Sequence, residues 1–284
     1  MQQVAASIVY SDLDGTMVGP RGCFFRAEGG AVDLEPARAL AELLASGVPL
    51  VLVSGRTRAQ LIEACGIFGA DGYIAELGAL IGWRPGRSAG PDQPQSAVEL
   101  LRGAMPDDLD AVPDELVTAL LDRFGDRLQF HSPWHIGHEL DVMLRGQVDV
   151  TEVEAWLAGQ GFAWLRLRDN GVLPTTAESL RATGLGIDAL HVYHLVPDGI
   201  GKGLAVARDL ERRGIDPSRA LAIGDSASDL EMAPFVGDFA LVENGSRPAH
   251  MGPLIAAHRN VRVESGSHGA GWASAVRRAI AAPR

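Results

Sequence analysis

Acidic residues follow two apolar segments of the sequence, and their positions indicate a cation site. Asp12 and Asp14 end the segment "ASIVYSDLDG", and Asp225 ends the segment "ALAIGDS". Carboxylates that share one small site repel one another and call for a cation, and a few hard oxygen ligands suit Mg²⁺. A plain polar turn is the alternative interpretation of "DLDGT". The matching acid after a second apolar segment favours the cation site.

Groups that can bind an anion occur at two further points. Ser54, Gly55 and Arg56 follow "PLVLV" and precede a predicted helix, so a hydroxyl group and backbone N–H groups would meet at the helix start. Lys202 is the only lysine among 25 basic residues and lies between two glycines. A compact ammonium can contact a phosphate oxygen and a carboxylate as a point charge, which a planar guanidinium does not reproduce. The alternatives are an ordinary turn for the serine segment and a solvated surface position for the lysine.

Alternating strands and helices are predicted to bring these residues together. A strand in "ASIVYS" is followed by a helix in "EPARALAELLASG", a strand in "VPLVLVSG", a helix in "TRAQLIEACG" and a strand in "GYIAELGALIGW". This order predicts a parallel sheet covered by helices. In such sheets ligands bind beyond the carboxyl ends of the strands. The acids and the serine segment should therefore share one edge of the sheet.

The alternating pattern is interrupted by a module of another kind. After Trp83 the segment "RPGRSAGPDQPQ" is predicted as a linker, and two successive α-β-β units follow up to about His194. Their predicted elements are helices near 95–104, 113–125 and 149–160 and strands near 127–132, 138–145, 163–169 and 189–196. The predicted domains are therefore a first part of the α/β core at 1–82, an inserted α+β domain at 83–194 and a second part of the core at 195–284.

The composition excludes several classes of partner. A net charge of −11 argues against nucleic acid and anionic membranes, because such binding usually rests on a basic surface. No apolar run approaches the ~20 residues of a bilayer span, and "MQQVAASIVYSDLDG" lacks a signal-peptide core, so we expect a cytoplasmic protein. Cys23 and Cys65 have no metal-ligand or redox spacing and are predicted to be ordinary thiols. The oligomeric state is not indicated by any pattern.

Four motifs, taken together, resemble those of the haloacid dehalogenase-like hydrolase superfamily, specifically its Cof-type members of subclass IIB. They are "DLDGT" at 12–16, "SGR" at 54–56, "GIGKG" around Lys202 and "GDSASD" at 224–229. The resemblance spans the whole chain and implies a Rossmann-like parallel-sheet core with an inserted α+β cap of the C2 type. It also implies a Mg²⁺-dependent phosphatase that acts on a small phosphorylated metabolite through an aspartyl-phosphate intermediate.

The resemblance implies a role for each matching residue. Asp12 would be the nucleophile, and Asp14 the acid that protonates the leaving oxygen and the base that activates water. Mg²⁺ would bind the Asp12 carboxylate, the Asp14 backbone carbonyl and the Asp225 carboxylate. The phosphate-binding residues would be Thr16, Ser54, Gly55 and Lys202, with Asp229, Arg56 and Ser228 in support. Ser228 stands where many relatives have asparagine, so the role of that position is open.

The substrate is left open by the sequence. In such relatives the cap selects the leaving group, and a sugar phosphate or glycosyl phosphate, as in the sucrose-phosphate and mannosyl-3-phosphoglycerate phosphatases, is expected. A phosphosugar mutase of the same fold and a non-catalytic binding protein are the alternatives. Within the cap, "FHSPWHIGHELD" holds His131, His135 and His138, for which zinc ligation, polyol binding and plain loop positions are all open. Residues 17–34 are predicted as an enlarged hairpin beside the nucleophile.

Overall fold

The computed structural model describes residues 6–84, 97–173 and 175–281. The chain divides into two compact units, one formed by Met1–Leu101 with Gly201–Arg284 and the other by Arg102–Ile200. We call them the core unit and the cap unit. The predicted domain boundaries, after residues 82 and 194, both lie earlier in the chain than these.

Strands and helices alternate along much of the described chain. The strands are β1 (Ile8–Ser11), β2 (Leu50–Val53), β3 (Gly72–Ala75), β4 (Leu80–Trp83), β5 (Ala97–Leu100), β6 (Leu128–Phe130), β7 (Val142–Gly146), β8 (Leu165–Val172), β9 (His191–Pro197), β10 (Ala220–Gly224), β11 (Asp238–Leu241) and β12 (Val261–Val263). The helices are α1 (Glu35–Ser46), α2 (Arg58–Phe68), α3 (Asp114–Phe124), α4 (Val150–Gly159), α5 (Ala177–Arg181), α6 (Lys202–Arg213), α7 (Ala227–Leu230), α8 (Glu243–Ser246), α9 (Met251–Ala256) and α10 (His268–Ala281). None of these helices has both the length and the apolar composition that crossing a membrane requires.

The core unit is built on one sheet, in which the described strands are ordered β12-β11-β10-β1-β2-β3-β4-β5. The strands from β12 to β3 run parallel, and β4 and β5 continue the sheet in antiparallel pairing. Every residue of β1, β2 and β10 is buried, which explains why these segments read as continuous apolar runs. The predicted α/β class with a parallel sheet is confirmed.

A strand replaces one predicted helix. The sequence predicts a helix near 95–104, whereas Ala97–Leu100 forms β5 and pairs with β4. Glu99 in this strand accepts hydrogen bonds from Arg208 Nε at 2.7 Å and Arg212 Nη1 at 3.4 Å, both on α6. Pairing and these long-range contacts outweigh the helix propensity of so short a segment. The predicted boundary at 82 is early for the same reason, since β5 belongs to the core sheet. The predicted linker in "RPGRSAGPDQPQ" lies outside the described residues, apart from Arg84.

The cap unit contains a separate antiparallel sheet with the order β6-β7-β9-β8. Apolar residues of α3 and α4 pack on one face of it, with Leu120, Phe124 and Leu157 against Leu144 and Leu195. The order of elements matches the two predicted α-β-β units, and the short helix α5 is an addition.

The segment between β1 and α1 has little regular structure. Arg26 and Val32 form an isolated antiparallel bridge. The Phe24 ring packs edge-on against Phe68 of α2, with ring centroids 5.0 Å apart. Arg247 donates to Glu28 from Nη2 at 2.9 Å. The predicted hairpin is therefore reduced to one bridge, and contacts with other parts of the core unit hold the segment.

A buried polar network fastens α6 to the sheet. The fully buried Asp209 carboxylate accepts hydrogen bonds from Tyr10 Oη at 2.8 Å, from Arg213 Nε at 2.8 Å and from Trp83 Nε1. Burial, together with the neighbouring Asp209, raises the pKa of Tyr10 above its ordinary value. The network joins β1 and β4 to the helix that begins at Lys202.

We expect Tyr10→Phe to lower the free energy of unfolding by about 1–3 kcal/mol, because it removes a donor from a buried carboxylate without changing the packing much. Urea denaturation followed by circular dichroism measures this change. An unchanged midpoint would mean that Trp83 and Arg213 satisfy Asp209 without Tyr10.

Candidate active site

Asp12 follows β1 and lies at the centre of the candidate site. Its side chain is buried, and its Oδ1 accepts a hydrogen bond from Lys202 Nζ at 3.0 Å. The other oxygen, Oδ2, is buried with no hydrogen-bond partner among the described residues. Burial raises the pKa of Asp12 to about 7, against the opposing effect of Lys202. One carboxylate oxygen is thus available to a cation or an electrophile.

Lys202 is the first residue of α6 and is itself buried, with 3% of the residue exposed. Its Nζ donates to Asp12 Oδ1 at 3.0 Å and to Asp229 Oδ1 at 2.6 Å. Burial lowers the pKa of Lys202, but the two carboxylates outweigh that effect and the net shift is upward. The side chain is therefore a fixed positive charge between two buried acids, and a solvated surface position is excluded.

Asp229 is held by both of its oxygens. While Oδ1 accepts from Lys202, Oδ2 accepts from the backbone N–H groups of Asp225 and Ser226 at 3.1 and 2.9 Å and from Ser226 Oγ at 2.6 Å. These bonds form the capping box at the start of α7. Asp229 therefore fixes the "GDSASD" loop to the lysine.

Asp225 lies directly after β10 and completes a cluster of acids. Its Oδ1 accepts from Thr16 Oγ1 at 3.2 Å, and its Oδ2 accepts from Asn244 Nδ2 at 3.0 Å. Burial and the nearby Asp12 raise the pKa of Asp225 above its usual range. One carboxylate oxygen each of Asp12, Asp225 and Asp229 lies within 4.8 Å of the others. The buried, unpartnered oxygen of Asp12 and the all-oxygen donor set fit a hard divalent cation.

Two glycines allow the loops of the site to approach one another closely. Gly15 has φ +91°, and a Cβ there would lie 2.2 Å from Asp225 Oδ2. Gly78 has φ +110°, and a Cβ there would lie 2.4 Å from the carbonyl oxygen of Gly201, the residue before Lys202. Side chains at either position would displace a residue of the acid cluster or the start of α6.

The turn that contains Gly78 also connects the serine segment to α6. Glu76 and Leu77 share its left-handed backbone, with φ of 51° and 54°. The N–H of Glu76 donates to the carbonyl of Arg56 at 3.1 Å, and the N–H of Leu77 donates to that of Ser54 at 3.3 Å. Strained backbone of this kind is kept where the surroundings impose it, often at functional sites.

The serine segment lies between β2 and α2. Ser54 is buried and its Oγ accepts from the N–H of Arg56 at 3.3 Å, with Gly55 in the turn between them. The helix begins directly afterwards, because Thr57 and Gln60 form a reciprocal capping box. The segment therefore stands at a helix N-terminus, as the anion-binding interpretation requires.

Asp14 occupies a different position from the other acids. Its side chain is 52% exposed, and both of its oxygens are bound by Arg56, from Nε at 2.7 Å and from Nη2 at 2.6 Å. Ser228 is also outside the acid cluster, and its hydroxyl exchanges a hydrogen bond of 2.9 Å with Ser226 Oγ. The structure thus gathers Asp12, Thr16, Lys202, Asp225 and Asp229, and it places Asp14 and Arg56 together as a separate pair.

Two residues of the site were missed by the sequence analysis. Asn244 Nδ2 donates to Asp225 Oδ2 and to the Gly15 carbonyl, both at 3.0 Å, and His268 Nδ1 binds that carbonyl at 2.8 Å. The N–H of His268 also donates to Asn244 Oδ1 at 2.8 Å. The position of Asn244 beyond the parallel strand β11 could have revealed it. His268 has no comparable signal, since only its left-handed φ of 49° marks it out.

The histidines of the cap have contacts within their own unit. His135 stacks on Phe130 at a centroid distance of 4.6 Å, and burial lowers the pKa of His131 to about 4. Asp141 contacts Nδ1 of both His138 and His194. Zinc ligation by the first three of these histidines stays a hypothesis.

Comparisons with known proteins show which sequences and structures this chain is similar to. The family model for haloacid dehalogenase-like hydrolases matches residues 187–250. A phosphoglycolate phosphatase of Methanopyrus kandleri is 25% identical over 236 residues, covering 81% of this chain and 82% of that protein. A second one, from Methanococcoides burtonii, is 24% identical over 260 residues and covers 91% of each chain.

The chain is therefore similar to haloacid dehalogenase-like hydrolases. Solved structures share the fold of this chain over nearly its whole length. The sucrose-phosphatase of Synechocystis, in complex with sucrose and phosphate, has a TM-score of 0.61 at 18% identity and covers 99% of this chain and 98% of its own. A haloacid dehalogenase-like hydrolase from Bacteroides thetaiotaomicron has a TM-score of 0.59 at 16% identity, covering 95% of this chain and 98% of its own. The resemblance seen in the four motifs is confirmed, and with it the phosphatase class.

We expect Lys202→Met to destabilise this hydrolase by about 3–5 kcal/mol at pH 8, because it leaves Asp12 and Asp229 buried without their cation. The loss should be smaller at pH 5.5. The folded-state pKa of Asp12 is already above its ordinary value and rises further without the lysine, so folding takes up a proton that stabilises the variant only below that pKa.

Urea denaturation of the metal-free protein at the two pH values measures the effect. Arg208→Met, on the exposed face of the same helix, is the matched control and should change the midpoint little. A Lys202→Met penalty that does not depend on pH would contradict the charge compensation.

Proposed function

We propose that this hydrolase is a Mg²⁺-dependent phosphatase that cleaves a small phosphorylated metabolite through an aspartyl-phosphate on Asp12. The observation that carries the proposal is the buried and unpartnered Oδ2 of Asp12, beside the ammonium of Lys202 and the carboxylate of Asp225. A carboxylate can approach an anionic phosphoryl group only where positive charge offsets the repulsion. Asp12 and Asp225 would hold the Mg²⁺ with the Asp14 backbone carbonyl, and the ion would supply part of that positive charge.

The residues of the chain divide the reaction into two steps. In the first, a bond forms between a carboxylate oxygen of Asp12 and phosphorus, the ester bond breaks, and the departing oxygen takes a proton from the Asp14 carboxyl group. In the second, a water molecule attacks the phosphorus, the bond to Asp12 breaks, and Asp14 accepts the proton of the water. Inorganic phosphate leaves and Asp12 is restored.

The remaining residues would bind the phosphoryl oxygens. Lys202 supplies a charge that is already desolvated, so it interacts more strongly than an exposed lysine would. Ser54 and Gly55 stand at the N-terminus of α2, where backbone N–H groups favour an anion. Thr16 lies beside Asp225, to which its hydroxyl donates.

Two substrate classes follow from the relatives. The two curated relatives described above are phosphoglycolate phosphatases and match more than four-fifths of this chain, so a phosphorylated small carboxylic acid is the first candidate. The second candidate is a sugar phosphate, which the motifs imply and which the similarity to the solved sucrose-phosphatase supports. A screen of both classes for phosphate release, without a bisphosphate activator, separates hydrolysis from the transfer that a mutase performs.

We expect Asp12→Asn to lower phosphate release at least ~10³-fold, because the amide cannot act as the nucleophile. Turnover of p-nitrophenyl phosphate and 2-phosphoglycolate with Mg²⁺ measures the loss. Asp216→Asn is the matched control, since Asp216 is an exposed residue of the core unit that caps the N-terminus of a short 3-10 helix, where asparagine replaces aspartate well. Release of phosphate by Asp12→Asn at the wild-type rate, or no release by the wild type, would overturn the proposal.

We also expect Mg²⁺ binding to release protons near pH 7. Burial holds the pKa of Asp12 at about 7 in the metal-free site, so part of the population carries a proton that a cation must displace. Affinity should therefore rise as the pH increases from 6 to 8. Calorimetric titration at pH 7 in two buffers of different ionisation enthalpy measures the proton release, which Asp12→Asn should reduce. Equal heats in the two buffers would contradict the expectation.

A further inference from the structure

Arg56 binds the Asp14 carboxylate at two points. Nε donates to Oδ2 at 2.7 Å and Nη2 donates to Oδ1 at 2.6 Å, so the guanidinium and carboxylate planes meet as two parallel hydrogen bonds. Among the described residues, these are the only side-chain hydrogen bonds that the Asp14 carboxylate receives. The orientation of this carboxylate therefore depends on one partner.

Both members of the pair are partly exposed to solvent. About half of the Asp14 side chain and a third of the Arg56 side chain are exposed. A half-exposed aspartate on a turn samples several rotamers unless something holds it. A two-point contact fixes both the position and the rotation of the carboxylate, whereas a single hydrogen bond fixes only the position.

The backbone of Arg56 is itself held firmly. Its N–H donates to Ser54 Oγ at 3.3 Å, and its carbonyl accepts from the N–H of Glu76 at 3.1 Å. Gly22 also passes beside the pair, and a Cβ there would lie 3.7 Å from Arg56 Nη2 and 3.9 Å from Asp14 Oδ1. The guanidinium therefore extends from a fixed backbone position, as a positioning group must.

We propose that Arg56 is a positioning residue that acts through Asp14. In the protonated form of Asp14, one oxygen donates its proton to the departing oxygen while the other keeps its hydrogen bond from Arg56; the resulting carboxylate is bound at both oxygens and takes a proton from the attacking water, which restores the acid. This inference rests on the proposed function, because it assigns Asp14 those two proton transfers. Stability alone is a weak reason for the pair, since exposed ion pairs contribute little to it.

The test compares two leaving groups in Arg56→Gln. p-Nitrophenolate departs without a proton, whereas the alkoxide from an alkyl phosphate needs one from Asp14. We expect kcat/KM for the alkyl phosphate that the wild type hydrolyses fastest to fall ~10²-fold, the lower end of what a general acid contributes. For p-nitrophenyl phosphate kcat/KM should change less than ~3-fold, since kcat/KM reports only the steps up to departure of the leaving group.

The second proton transfer has its own readout. If Asp14 is misplaced when water attacks, breakdown of the aspartyl-phosphate becomes slow, and Arg56→Gln should release a burst of about one p-nitrophenolate per active site before steady turnover. Arg56→Lys keeps the charge but loses the two-point contact. Its kcat/KM for the alkyl phosphate should therefore exceed that of Arg56→Gln by less than ~10-fold.

Two controls separate positioning from other roles. Asp14→Asn combined with Arg56→Gln should be no slower on the alkyl phosphate than Asp14→Asn alone, because both changes disable the same group. Arg38→Gln breaks an exposed ion pair with Glu35 elsewhere in the core unit and should leave the ratio of the two substrates unchanged. Circular dichroism and the urea midpoint check that each variant is folded.

An equal fall in kcat/KM for both substrates in Arg56→Gln would overturn the inference, as would additive losses in the double variant. The proposed function is tested separately, by wild-type turnover of the same substrates and its loss in Asp12→Asn. If the wild type hydrolyses neither substrate, both the proposed function and this inference are contradicted.

Discussion

The ammonium group of Lys202 is the interaction on which the rest of the site depends. It lies between the buried carboxylates of Asp12 and Asp229, and each of these charges alone would carry a large desolvation penalty. Together they are tolerated because each is the counter-ion of another. Asp225 adds a further carboxylate that the lysine does not neutralise, so the site retains negative charge, which a divalent cation can balance.

Much of the core unit serves to place this ammonium. The Asp209 network joins α6 to β1 and β4, and the left-handed turn at Gly78 lies against the residue before the lysine. On the other side, Asp229 is fixed by the backbone of its own loop. The position of the ammonium therefore rests on backbone that is held from several sides.

The sequence predicted the positions of those site residues that directly follow a single strand. The rule that ligands bind beyond parallel strands located Asp12, Ser54 and Asp225, and the uniqueness of Lys202 indicated a point charge that contacts a carboxylate. It failed where tertiary contacts decide, as in β5, whose pairing and Glu99 contacts override a helical pattern. His268 was missed because its contact with the Gly15 carbonyl depends on how the start of α10 meets the first loop. The pairing of Asp14 with Arg56 likewise depends on geometry across two loops.

The order of the chain has a consequence for biosynthesis. The central strand β1 pairs with β2, which follows soon after it, and with β10, which is made only after the whole cap unit. A ribosome therefore exposes Asp12 long before Lys202 and Asp225 exist. Until then β1 has one open edge and its acid has no counter-ion. The nascent chain cannot form this site early, and a product that stops within the cap would lack both the sheet partner and the charge that make Asp12 tolerable in the interior.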